Sequence, residues 1–262
     1  YGLEAVASTT LVQANEARIM TAIHNDPSPK SAGYISKWNS MQDASFLTEL
    51  LMNNIKVRFS EKALSFNGDK FDRGSLIITK SDNNNNSEFN KTVTDLANKH
   101  QRHLYASPTS FSDNGTDFGS SDVKLVNKKR IAVLKGDGVS SLSYGAIWHF
   151  FETQLNYPIT SIDTDYLNRI ELSDYDVLVL PEGYYGSVIK EEATEALKDW
   201  VRMGGKVIAV GSAVGFFQDK EGFNLVSNEN KEEEDDKENI NNTEDSQKLI
   251  PYDQRSQEFL KN

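Results

Sequence analysis

Three short apolar runs limit what this chain can fold into: "RIAVL" (130–134), "YDVLVLP" (175–181) and "KVIAV" (206–210). None alternates polar with apolar residues, so each reads as a buried strand. Segments of helix length separate them. "AIWHFFETQL" (146–155) sets Ile147, Trp148, Phe151 and Leu155 inward, after a Gly/Ser loop "KGDGVSSLSYG" (135–145). "KEEATEALKDWVRM" (190–203) puts Ala193, Ala196, Leu197, Trp200 and Val201 on one stripe. Glutamates open that helix, Arg202 lies near its end and Gly204-Gly205 follow it, as the helix dipole and C-cap rules favour. With "PITSI" (158–162) as a fourth strand, the alternation implies a parallel sheet wound by right-handed crossovers.

A second α/β block precedes it. "GYISKW" (33–38) reads as a strand, and "NSMQDASFLTELLMNN" (39–54) as a helix capped by Asn39 or Ser40, with Ala44, Leu47, Leu50 and Leu51 on one face. "IKVRFS" (55–60) alternates like a strand. "LSFNGDKFDRGSLIITK" (64–80) reads as a hairpin, with turn chemistry at Asn67-Gly68 and "SLIIT" as its return strand. Phe89, Val93, Leu96 and Ala97 mark another helix, and "HLYAS" (103–107) a strand. The Ser-, Gly-, Asp- and Asn-rich stretch 108–129 places a domain boundary between the blocks. Upstream, "STTLVQANEARIMTAIHN" (8–25) has helical spacing, and the prolines of "DPSPKSAG" end it. Downstream, "NENKEEEDDKENINNTEDSQ" (227–246) has too few apolar residues to offset chain entropy, and is expected to be disordered or mobile. The expected organisation is a helical segment over 1–30, a small α/β domain over 31–126, a larger α/β domain over 127–225 and an acidic segment over 226–262.

Composition narrows the function. A net charge of −11 argues against a nucleic-acid partner, which needs a clustered basic surface. No apolar run approaches the ~18 residues of a membrane span. The absence of cysteine excludes disulfides, thiolate metal sites and cysteine nucleophiles. The chain opens "YGLEAVASTT", with no initiator Met and no signal sequence, and reads as a piece of a longer protein.

Chemistry is sparse. His149-x-x-Glu152 has zinc-ligand spacing, but no histidine follows position 149 to complete a set, so a surface pair is the better reading. His100-x-x-His103 lacks a third ligand and reads as two exposed helix-end histidines. "GSAVG" (211–215) has the frame of a nucleophile elbow, Gly-x-Nuc-x-Gly, with Ala213 at the apex and the Ser212 hydroxyl one residue away. Alanine cannot attack a substrate, so no catalytic residue and no metal ligand is assigned. In open parallel sheets, ligands bind beyond the carboxyl ends of the strands. Those ends offer Asp137, Gly138, Ser140 and Ser141, then Glu182, Gly183 and Tyr184, then Ser212 and Ala213. "GDGVSS" is not a dinucleotide fingerprint. The crevice is either a binding site or a vestigial, water-filled space.

Residues 130–217 resemble a class I glutamine amidotransferase-like domain that lost its nucleophile. The resemblance is carried by "RIAVLKGDGVSSLSYGAIWHFFE", "YDVLVLPEGYYG" and "GGKVIAVGSAVGFF". It implies a flavodoxin-like parallel sheet with helices on both faces, and a nucleophile position at Ala213. The family's downstream histidine has no counterpart, so glutaminase activity is not implied. Nearly the whole chain, through "YGLEAVASTTLVQANEARI", the 33–79 stretch and "LANKHQRHLYA", resembles the C-terminal region of Bacteroidetes-type zinc carboxypeptidases of the carboxypeptidase A family. That resemblance implies zinc and catalysis in an upstream domain, and no cofactor in this chain. It also implies that domain as partner, a peptide substrate nearby, and export to the periplasm, outer surface or medium. This chain would be the non-catalytic accessory region. The rival readings are a small-molecule or peptide binding module using the crevice, and an independent hydrolase.

Overall fold

The structure, a computed structural model, describes residues 22–226 together with Ala7, Thr9 and Thr10. Most of the expected 8–25 helix and of the acidic segment lies outside the described residues. Residues 22–28, which are described, are not helical. The chain divides into two units at Phe217/Gln218. The described part of the second is a short turn, in which the Asp219 amide donates to Leu225 O at 2.8 Å.

The fold is α/β. The first unit begins with β1 (Gly33–Ser36), α1 (Met41–Met52), β2 (Arg58–Ser60), β3 (Leu64–Phe66), β4 (Asp69–Phe71), β5 (Leu76–Thr79), α2 (Phe89–Lys99), β6 (Tyr105–Ser107), β7 (Asn114–Gly115) and β8 (Val123–Leu125). One antiparallel sheet has the order β6-β1-β5-β2-β8, and a smaller one the order β4-β3-β7. Setting aside β8 and the small sheet of β3, β4 and β7, the element order βαββαβ and the strand order are those of a ferredoxin-like split βαβ unit.

The apolar pattern explains the layers. Tyr34 and Ile78 share one face of the large sheet, and Ile35 and Ile77 the other. The first face packs under α1 and α2 with Phe46, Leu50, Phe89, Val93 and Ala97. The second packs on the small sheet with Leu64, Phe66, Phe71, Phe118 and Val123. "LIIT" is buried throughout because it is a central strand covered on both sides. It is therefore not the return strand of the hairpin. That strand is β4, reached through Asn67 and Gly68 at φ 51° and 81°, the two positive values a type I′ turn requires.

Helix α1 starts after Ser40 as expected, and the Asp43 carboxylate accepts from the Ser40 amide at 2.7 Å. Its buried face is Asp43, Phe46, Thr48 and Leu50, rotated from the expected stripe. Asp43 can be buried there because Arg102 reaches it at 3.1 Å.

The unit continues with β9 (Ile131–Lys135), α3 (Ser141–His149), a π-helix (Phe150–Leu155), β10 (Thr160–Asp163), β11 (Val177–Leu180), α4 (Glu191–Arg202) and β12 (Lys206–Ala209). Strands β10-β9-β11-β12 form an all-parallel sheet. The α3 and α4 crossovers run in opposite directions from the centre, and right-handedness puts the two helices on opposite faces. Helix α4 ends as expected: the Gly204 and Gly205 amides donate to Val201 O and Trp200 O, a Schellman cap. Its buried stripe is narrower than expected, with Ala196 and Val201 exposed.

Helix α3 starts five residues before the expected helix, because the Ser140 hydroxyl caps it by accepting from the Ser143 amide. Trp148 is 44% exposed rather than inward. The run "KVIAV" is not fully buried either: Ile208 is 50% exposed. β12 is an edge strand, and part of its face is open to solvent.

Candidate functional site

The strand ends converge as a parallel sheet requires, but their loops meet one another. Val139 and Gly183 form an antiparallel bridge between the loop after β9 and the loop after β11. The Tyr184 amide donates to Gly138 O at 2.8 Å, and the Ser140 amide to Glu182 O at 2.8 Å. The Glu182 amide donates to the Ser143 hydroxyl at 3.0 Å. A Cβ on Gly183 would lie 2.3 Å from Gly138 O, so only glycine permits this approach.

Ser212 joins the same cluster. Its hydroxyl accepts from the Gly183 amide and donates to Gly183 O, both at 3.2 Å. No described histidine or carboxylate is hydrogen-bonded to that hydroxyl, whereas nucleophilic attack needs an adjacent base. Ala213 is fully buried, at 0% exposure. The positive φ of the turn is at Gly211, +58°, and not at the position where an elbow nucleophile would sit. The turn therefore feeds a 3₁₀ segment (Gly211–Phe216) whose apex side chain points into the protein. A buried apex leaves room for a methyl group and none for a substrate.

The structure thus brings Gly138, Ser140, Glu182, Gly183, Tyr184 and Ser212 together, largely through backbone groups. Asp137 and Ser141 are exposed, and the Asp137 carbonyl accepts from the Thr164 hydroxyl at 3.0 Å. Tyr184 is 82% exposed. Its neighbour Tyr185 is buried, donates to Pro181 O at 2.7 Å, and burial pushes its pKa up, so it stays protonated. Cavities of about 370 Å³, beside α4, and about 730 Å³, beside β7, are lined by none of the crevice residues.

The histidine pairs separate. His149 is exposed, and the Glu152 carboxylate accepts from the Ile159 amide at 3.3 Å. His100 is part-buried rather than exposed, with its Nε2 against Glu49 Oε2. Burial raises the Glu49 pKa, but hydrogen bonds from Lys99 and His100 outweigh it and hold the carboxyl below its usual range. His103 meets the Tyr105 ring edge-on, with centroids 4.4 Å apart. Among the described residues there is no cluster of three metal-ligating side chains, and no helix long and apolar enough to cross a membrane.

Compared with family models, curated proteins and solved structures, the chain matches none.

Proposed function

We propose that the chain is a non-catalytic accessory region of a zinc carboxypeptidase-like protein, which supports an upstream catalytic domain or its hold on peptide. The observation that carries the non-catalytic reading is the closed strand end: Ala213 is buried and the Ser212 hydroxyl is committed to Gly183. A fold that kept this site for chemistry would expose its apex and place a base beside it. The carboxypeptidase parent rests on the sequence resemblance alone, as do zinc in the upstream domain and export from the cell.

The test is an immunoprecipitation from source cells with an antibody raised against residues 33–126. The precipitate is expected to release C-terminal amino acids from peptides and to lose that activity on zinc chelation. A precipitate that carries this segment and shows no chelator-sensitive carboxypeptidase activity contradicts the reading. So does turnover by the purified chain that Ser212→Ala abolishes.

A further inference from the structure

The cleft of about 730 Å³ beside β7 lies within the size range of ligand sites. Three loops line it. Lys62 and Ala63 come from the β2–β3 connection, Phe111 from the β6–β7 loop, and Thr116, Asp117 and Asp122 from the β7–β8 loop. Phe111 is 72% exposed, a ring held out into water.

The loops are tied in place. The Phe111 amide donates to the Thr109 hydroxyl at 2.8 Å, and the Ser112 amide to Asp117 Oδ1 at 2.8 Å. The Phe118 amide reaches across to Ser110 O at 3.1 Å. These bonds hold the loop backbones that carry the ring and the polar groups, which lowers the entropy cost of binding.

Hydrogen-bonding capacity is left over. Lys62 Nζ meets Asp122 Oδ2 at 2.9 Å, while no described residue donates to Asp122 Oδ1 or to Asp117 Oδ2. The Thr116 hydroxyl is the one buried side-chain polar atom without a partner among the described residues.

We infer that this cleft binds a neutral carbohydrate chain, with Phe111 stacked on the C–H face of one sugar ring and Asp117, Asp122 and Lys62 exchanging hydrogen bonds with its hydroxyls. A pyranose has one apolar face and a rim of hydroxyls that both donate and accept, which matches one exposed ring beside mixed donors and acceptors. One lysine against two aspartates leaves a net negative charge, which disfavours phosphates and acidic ligands. A peptide added to the sheet needs a row of free edge groups, and β7 has only two residues. The inference does not depend on which catalytic domain the chain serves.

The test is an amide-shift NMR titration of the purified chain with cellohexaose, xylohexaose, mannohexaose and chitohexaose. At least one is expected to shift signals within residues 110–122. Phe111→Ala is expected to raise its Kd by about tenfold with an unchanged melting temperature, and Phe111→Trp to retain binding. The inference is overturned if none of the four sugars shifts those signals, if the shifts centre on Gly138 and Glu182 instead, or if binding survives Phe111→Ala.

Discussion

Ala213 occupies a position where side-chain size matters more than reactivity. Its methyl group is wholly buried, so a larger side chain must displace its neighbours. Ala213→Cys, which places a thiol at the apex of the turn, is expected to show no glutaminase turnover and to lose about 1–3 kcal/mol by overpacking, read by urea denaturation. The spelling Gly-x-x-x-Gly was legible in the sequence. Which glycine carries the positive φ, and which way the apex points, depend on packing that spacing does not encode. Asp82 is held in its charged form by its neighbours. The Arg58 hydrogen bond holds its carboxyl below the usual aspartate range; burial opposes this and the Thr79 hydroxyl adds to it. Its folded pKa is thus below its unfolded one. The stabilisation is present above about pH 4 and is lost as pH falls through the folded value. Asp82→Asn is expected to cost about 1–3 kcal/mol at neutral pH and to flatten the acid limb of a pH–stability curve.

At the scale of elements, the loop pair that closes the strand ends is the feature most exposed to test. Gly183→Ala places a methyl group against the Gly138 carbonyl and is expected to break the Val139–Gly183 bridge. The expected cost is about 2 kcal/mol or more, with amide exchange accelerating at Tyr184 and Ser140, whose bonds cross between the loops. In the first block, Phe46→Ala removes a fully buried ring from under the large sheet and is expected to cost about 3–5 kcal/mol. Element identity was largely legible because period and punctuation are local. The four strands of the parallel sheet and the cap of α1 follow from their own residues. Pairing was not, since "SLIIT" reads the same as a hairpin return or as a central strand until its neighbours are known. Sequence spacing starts helix α3 too late because "SSLSYG" has weak helix formers, and only the Ser140 cap marks its start. Phe111 in "PTSFSDNGTDFG" reads as linker, and its signal is a large ring among polar loop residues.

Across the whole first unit, the two blocks touch where α1 meets the π-helix. The Ser45 hydroxyl reaches Gln154 O at 3.3 Å, beside a cavity of about 100 Å³ that both blocks line. That contact depends on residues 109 positions apart, and no local pattern announces it. The α/β class itself was legible, since alternating strands and helices leave few other arrangements. The strand-end loops were legible as Gly- and Ser-rich turns, and their hydrogen bonds to one another depend on pairings that no local pattern encodes. The central claim is that this chain serves a larger enzyme and performs no chemistry alone. The most direct measurement is the intact mass of the native product in source cells, detected with an antibody to this chain. The account predicts a polypeptide larger by the length of a catalytic domain, some hundreds of residues. A species with the mass of this chain alone, 29.4 kDa, would contradict it.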